Sequence, residues 1–168
     1  MAIRRPITRA GDAYRIRLND AARDALRTLC SELRRLLVNE NPATDSAIAR
    51  LFPPAYPEDP LRNLDYEQGA GNDLLAGRLA ALDTVTDTLD ASRLTQQQLL
   101  AWLGAINDLR LVLGTRLDVT EETTEETFAA DERAGPMYEQ YMFLTWLEDL
   151  IVDALGDPAG AESSSITD

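Results

Sequence analysis

The sequence predicts a mainly α fold, a bundle of about four longer helices with a short N-terminal β-hairpin. Two observations carry this prediction. Apolar residues recur at spacings of three and four through four long stretches, as they do on one face of an amphipathic helix. Near the N-terminus, polar and apolar residues instead alternate in places between Ile3 and Leu18, and Gly11 with Asp12 supplies a turn, which is typical of a hairpin.

The first long helix is predicted from Asn19 or Asp20, either of which can cap it, to about Asn39. Its apolar stripe is Ala22, Leu26, Leu29, Leu33 and Leu37. A short helix is expected from about Asp45 to Leu51. The segment from Phe52 to Pro60 contains four prolines and predicts a loop, because proline lacks the backbone donor that a helix requires.

Two further long helices are predicted in the middle of the chain. The run Gly69-Ala70-Gly71 is interpreted as a connection between helices, so the second long helix is expected from Asp73 to Asp90. The third is expected from about Thr95 to Leu117. Thr95 followed by Gln98 is typical of a capping box, in which each side chain bonds the backbone of the other residue.

The last helix is predicted from about Pro136 to Leu155, with Gly156 ending it. Its apolar residues cover most of its circumference, so they are either buried on several sides within one subunit, which we favour slightly, or shared with a second subunit in a homodimer. The sequence thus predicts one helical domain over residues 1–157, with the hairpin at 3–18 and a disordered acidic tail at 158–168.

Charge is distributed unevenly along the chain. All sixteen cations are arginine; nine of them lie in residues 1–35 against four acids, whereas residues 36–168 hold seven against twenty-five acids. The net charges of the two parts are therefore +5 and −18, and the chain carries −13. Such an acidic body repels nucleic-acid backbones, so sequence-independent binding of nucleic acid is disfavoured outside the arginine-rich beginning.

We predict that this arginine-rich beginning contacts an acidic protein partner. The residues expected to do so are Arg4, Arg5, Arg15 and Arg17. Three alternatives stay open: the arginines are solvated, they pair with acids of the same molecule, or they bind nucleic acid directly. The acidic stretch 118–127 is interpreted as a solvated charge run, since it lacks the glycine turn and alternating oxygens of a calcium loop.

The chain contains no histidine and a single cysteine, Cys30. This excludes the histidine-dependent nucleophile triads, the zinc protease motif and the carboxylate-histidine di-iron bundle. We therefore expect a protein without catalytic residues, cofactor or metal. Cys30 is a redox candidate because Arg27 and Arg34 could lower its thiol pKa, but its place between Leu26 and Leu33 also fits an inert core residue.

Arg110 lies at the edge of the core face predicted for the third long helix. We expect it to pair with Glu148 or Asp149 of the last helix, because a buried guanidinium requires a partner. The alternative is a small-ligand-binding helical domain centred on Arg110. Like Arg110, three aromatic residues are expected mainly to stabilise the scaffold: Trp102, Tyr138 and Trp146.

No apolar run approaches the ~20 residues that cross a bilayer, and the basic start is not followed by an apolar stretch of the kind found in a signal peptide. The single cysteine fits a reducing compartment. We therefore expect a cytoplasmic protein.

Three segments resemble the actinobacterial oxidative-stress regulators, the AosR-like family, formerly a domain of unknown function. They are the basic hairpin leading into LNDAARDALRTL at 18–29, NDLRLVLGTRL at 107–117 and YEQYMFLTWLEDLI at 138–151. The resemblance extends in the same order over about residues 3–155. It implies a cytoplasmic regulator that acts through contacts with the transcription machinery under oxidative stress. The exclusive use of arginine agrees with a GC-rich actinobacterial genome.

The chain departs from that pattern at its cysteine. A family member that senses oxidant through an internal disulfide needs two cysteines, and this sequence has only Cys30. Either Cys30 acts through a sulfenic acid or an intermolecular bridge, or this member does not sense oxidant by thiol chemistry.

Overall fold

The computed structural model describes residues 4–42, 44–53, 56–118 and 134–158, and only the backbone of residues 67 and 68. The elements in chain order are β1 (Ile7–Ala10), β2 (Ala13–Ile16), α1 (Asp20–Asn39), α2 (Ser46–Ala49), α3 (Pro60–Thr88), β3 (Arg93–Thr95), α4 (Gln96–Leu117) and α5 (Ala134–Gly156). The predicted mainly α class with an N-terminal hairpin is confirmed. The predicted acidic stretch beyond Asp118 and the predicted tail beyond Pro158 lie outside the described residues.

The hairpin joins β1 to β2 through Gly11 and Asp12, with Ala10 paired to Ala13. Gly11 has a φ of +70°, which glycine adopts without the steric cost that a Cβ brings. One face of the strands is buried in the core through Ile7, Tyr14 and Ile16. This alternation of buried and exposed residues is the pattern that predicted the hairpin.

A third strand, β3, extends the hairpin to an antiparallel sheet in the order β1-β2-β3. The sequence does not indicate this strand, because three residues are too few to show alternation. Leu94 pairs with Tyr14 and both side chains are buried, so tertiary contact with the hairpin holds β3 in place.

Helix α1 begins where the sequence predicts. The Asn19 side chain accepts a hydrogen bond from the Ala22 backbone N–H at 2.8 Å and so caps the helix. Its buried residues are Leu26, Leu29, Cys30, Leu33 and Leu37. They pack towards α3 and α4, so the predicted stripe faces the core.

The predicted start of the second long helix at Asp73 is wrong, and so is the interpretation of Gly69-Ala70-Gly71 as a connection between helices. Helix α3 begins at Pro60 and continues through both glycines. Asp59 caps it by accepting from the Arg62 backbone N–H at 3.1 Å, and proline suits the first helical turn. Each interior glycine costs about 1 kcal/mol relative to alanine, which lowers helix stability without ending a long helix.

Helix α4 lies at the centre of the molecule and packs against every other described helix. Its predicted capping box is present: Thr95 accepts from the Gln98 backbone and the Gln98 side chain accepts from the Thr95 backbone, at 3.1 and 2.9 Å. Asp118 ends it in the left-handed conformation, with φ 52°, and donates its N–H to the carbonyls of Gly114 and Thr115.

Helix α5 begins two residues before the predicted Pro136 and buries one face against α4, including Leu144, Leu147, Ile151 and Ala154. Other large apolar side chains of α5 stay at the surface: Met142 and Trp146 are each 45% exposed and Val152 is 51% exposed. Burial within one subunit, the slightly favoured prediction, therefore covers only part of the apolar surface of α5.

Candidate functional site

The face of the sheet that points away from the core carries arginine. Arg15 and Arg17 alternate with the buried Tyr14 and Ile16 along the chain and are exposed. Arg93 of β3 is also exposed and is the cross-strand partner of Arg15. Opposed residues of an antiparallel pair have Cβ atoms about 5 Å apart. We call Arg15, Arg17 and Arg93 the arginine face.

The part of the chain that the structure describes does not neutralise this face. No ion pair within the described residues involves any of its three arginines. Among residues 4–42, 44–53, 56–118 and 134–158, the one partner of the Arg93 guanidinium is the Ala10 carbonyl, to which it donates a long hydrogen bond of 3.5 Å. Like charges directly opposite each other in a sheet are destabilising, so the pairing of Arg15 with Arg93 is a cost to the fold.

Arginines elsewhere in the described residues are of two kinds. Seven form ion pairs with acids of the same chain: Arg5, Arg23, Arg27, Arg34, Arg78, Arg110 and Arg116. Five others form none among those residues: Arg4, Arg9, Arg35, Arg50 and Arg62. Pairing with acids of the same molecule, one of the alternatives that the sequence left open, thus applies to many of the arginines. It does not describe the arginine face.

The four arginines predicted to contact a partner are therefore placed in different surroundings. Arg15 and Arg17 share the arginine face. Arg5 is directed to α5, where its guanidinium lies 3.7 Å from the Asp153 carboxylate, and both side chains are largely exposed. Arg4 is exposed and has no ion pair within the described residues. Arg93 was missed, because its contribution depends on a strand that the sequence did not indicate.

A surface groove adjoins the arginine face. It has a volume of about 530 Å³ and lies between the start of α1 and the middle of α5. Its lining includes Arg17, Leu18, Ala22, Ala25, Phe143 and Trp146. The small alanines of α1 leave room beside the rings of Phe143 and Trp146, whose centroids are 6.1 Å apart. We call it the α1–α5 groove.

Cys30 lies in the core of α1 and is 2% exposed. Burial raises the pKa of its thiol to about 12, because an apolar environment disfavours the charged thiolate. The thiolate is the form that reacts with oxidants, so this environment suppresses the chemistry that made Cys30 a redox candidate. The guanidinium groups of Arg27 and Arg34 pair instead with Asp24 and Asp83, at 2.7 and 2.5 Å.

Arg110 is held by three contacts to α5. It forms an ion pair with Glu148, one of the two carboxylates suggested by the sequence. Its Nε donates to the Thr145 hydroxyl at 3.1 Å, and its guanidinium carbon lies 5.5 Å from the centroid of the Tyr141 ring. These contacts connect α4 to α5, and they occupy the guanidinium that the ligand-binding alternative required.

The remaining aromatic candidates differ in burial. Trp102 is fully buried, and its indole N–H donates to the Thr88 hydroxyl of α3 at 2.8 Å. Tyr138 is half-buried and stacks on Tyr141 with ring centroids 6.4 Å apart. Trp146 is 45% exposed at the edge of the α1–α5 groove. Of the three, only Trp146 presents a large exposed surface to another molecule.

A second partly buried arginine was not predicted from the sequence. Arg78 of α3 contacts Asp108 of α4 at 2.5 Å and donates to the Leu51 carbonyl at 2.7 Å. Asp108 is 3% exposed; burial raises the pKa of its carboxyl, and Arg78 opposes that effect. The pair joins α3 and α4 to the end of α2. Its only signal in the sequence is an aspartate next to the apolar stripe of α4.

The described residues give no indication of a metal site or a membrane span. Among residues 4–42, 44–53, 56–118 and 134–158, no group of three acidic or cysteine side chains is arranged to hold a metal ion. None of the helices in those ranges has the combined length and apolar character needed to cross a membrane.

Comparison with known proteins identifies relatives. A family described as Domain of unknown function (DUF2017) matches residues 4–155. The proteins named Oxidative stress regulator AosR of Mycobacterium tuberculosis and Mycobacterium bovis are each 30% identical over 125 residues, which are 64% of this chain and 57% of the relative. A relative from Mycobacterium leprae is 30% identical over 129 residues, 66% of this chain and 58% of its own length.

The chain thus matches little more than half the length of these curated relatives. No solved structure matches it at a significant level. The match of the family covers both the third-helix and the last-helix segments on which the resemblance was based. The chain therefore belongs to the family described as a domain of unknown function, DUF2017, and its predicted similarity to the oxidative stress regulators named AosR is confirmed.

Proposed function

We propose that this chain is a non-catalytic regulatory protein of the oxidative-stress response, which acts by docking its arginine face on an acidic surface of the transcription machinery. The observation that carries the proposal is the pairing of Arg15 with Arg93. The fold tolerates two opposed cations on an exposed sheet face, and a partner that supplies carboxylates would relieve their repulsion. The names of the mycobacterial relatives supply the regulatory role.

The buried thiol bears on how such a regulator would respond to oxidants. Cys30 is inaccessible and its thiol pKa lies far above neutral pH, so the folded protein presents almost no thiolate. In our proposal the oxidative signal therefore reaches this protein through its partner or its abundance. Direct oxidation of Cys30 has no part in it.

Direct binding of nucleic acid is the second candidate, because an unpaired arginine cluster also suits phosphates. Two features make it weaker. The rest of the chain is strongly acidic, and the residues opposed across the outward face of the sheet, Thr8, Arg15 and Arg93, include no aromatic ring on which bases could stack.

One pair of titrations separates the two candidates. Binding of the chain to purified actinobacterial RNA polymerase holoenzyme and to a duplex DNA is measured by interferometry at low and at physiological salt. We expect binding to the holoenzyme that survives at physiological salt, and at most weak DNA binding that disappears there. Binding to DNA alone, with a steep loss of affinity with salt, would favour the nucleic-acid candidate.

A further inference from the structure

The outward face of α5 is apolar in its middle and acidic at one edge. Met142 and Trp146 are each 45% exposed, and Asp149 is exposed three residues further on. Residues three and four apart are neighbours on a helix surface, so these side chains form one patch. Within the described residues Asp149 has no ion-pair partner.

The opposite edge of the same patch is basic. From Trp146 the surface passes over Phe143 into the α1–α5 groove, and Arg17 lies in the lining of that groove. One continuous surface therefore carries a protruding indole, a recess lined by small apolar residues, a cation at one edge and an anion at the other. A uniformly acidic partner would be repelled by Asp149 and a uniformly basic one by Arg17.

Such a surface is complementary to itself. In a dimer with twofold symmetry the same patch of both copies meets face to face, and every contact between unlike residues occurs twice. We propose that a second copy of this chain covers the α1–α5 groove, with Trp146 of each copy seated in the groove of the other and Arg17 of each copy facing Asp149 of the other.

The net charge of −13 does not prevent this association. At physiological ionic strength charges separated by more than about 8 Å are largely screened, so the local patch determines the contact. Exposed aromatic rings that fill a recess dominate the affinity of many interfaces, which gives Trp146 the central role here.

Sedimentation velocity of the purified chain over a range of concentrations tests the proposal. We expect a reversible monomer–dimer equilibrium in the wild-type protein. Trp146→Arg should leave only monomer. Val38→Arg is the control, because Val38 is 61% exposed near the end of α1, whereas the groove lies at the start of that helix, and this variant should dimerise as the wild type does.

A charge exchange tests the pairing directly. Arg17→Asp and Asp149→Arg should each weaken dimerisation at least about tenfold, because each places like charges in contact twice. The double variant restores both pairs and should recover the wild-type dimer. All four positions are exposed or line a surface groove, so the variants should fold, and circular dichroism checks that they do.

Three results would overturn the proposal. If the wild-type chain is monomeric at every concentration, a second copy does not cover the groove. If Trp146→Arg leaves the dimer intact, the dimer forms through another surface. A double variant that stays monomeric shows that Arg17 and Asp149 do not meet. Charge reversal of Arg15 and Arg93 should leave the dimer unchanged, which separates this proposal from the binding of an acidic partner.

Discussion

Arg15 and Arg93 are cross-strand partners on the exposed face of the sheet, and no carboxylate of the described chain pairs with either. Their repulsion is a cost that a smaller neutral residue would remove. We therefore expect Arg93→Thr to leave the free energy of unfolding unchanged or to raise it by about 0.2–1 kcal/mol, while affinity for the partner falls. Urea denaturation measures the first effect. A clear loss of stability would show that Arg93 supports the fold.

Breaking the ion pair between Arg78 and the buried Asp108 should lower the free energy of unfolding far more than breaking an exposed pair of the same length. Arg78→Met leaves the Asp108 carboxylate buried without its partner and should cost about 3 kcal/mol or more. Arg34→Met is the control: Arg34 and Asp83 also lie 2.5 Å apart, but they are about half exposed, and its loss should cost less than about 1 kcal/mol. Similar losses in the two variants would contradict this assignment.

The two tryptophans should also differ. Trp102→Ala removes a fully buried ring and its hydrogen bond to Thr88, which should cost about 3–5 kcal/mol. Trp146 is about half exposed, so Trp146→Ala should cost about 1 kcal/mol or less in the monomer. Thermal unfolding at low protein concentration makes the comparison. A larger loss for Trp146 would indicate that it belongs to the scaffold.

Cys30 should be chemically inert in the folded protein. Its thiol pKa is about 12 against a usual 9.0, so at neutral pH the thiolate fraction is lower by about a thousandfold before burial further limits access. Iodoacetamide should label Cys30 only after denaturant is added. Rapid labelling of the native protein, or a sulfenic acid formed under mild peroxide, would restore Cys30 as a sensor.

The same pKa predicts a dependence of stability on pH. Between about 9 and 12 the unfolded state loses the Cys30 proton while the folded state retains it, so the free energy of unfolding should fall as pH rises through that range. Cys30→Ala removes this contribution. Denaturation at pH 8 and pH 10 should therefore show a smaller decline for the variant than for the wild type.

Local signals explain which elements were predictable. Asn19 and the Thr95–Gln98 capping box mark helix starts by hydrogen bonds within four residues, and the sequence placed α1 and α4 correctly. Gly69 and Gly71 misled the prediction of α3, because helix propensity is a weak preference that tertiary packing overrides.

The candidate site was predictable only in part. Alternation along β2 indicated that Arg15 and Arg17 share an exposed face. Arg93 could not be added, since it joins them through pairing between β2 and β3, which are separated by more than seventy residues. Arg78 and Asp108 likewise meet only after α3 and α4 pack, whereas Arg110 was recognisable because acids on the last helix offered it a partner.

The most direct test of the account is the affinity of the chain for purified actinobacterial RNA polymerase holoenzyme after charge reversal. Arg15→Glu combined with Arg93→Glu should weaken binding at least about a hundredfold, because repulsion replaces attraction at two positions. In the control variant the charges of Arg35 and Arg50, which are exposed and lie outside the arginine face, are reversed. This variant should bind the holoenzyme with an affinity within about threefold of the wild type. Equal losses in the two variants, or none in the first, would contradict the claim that the arginine face is the docking surface.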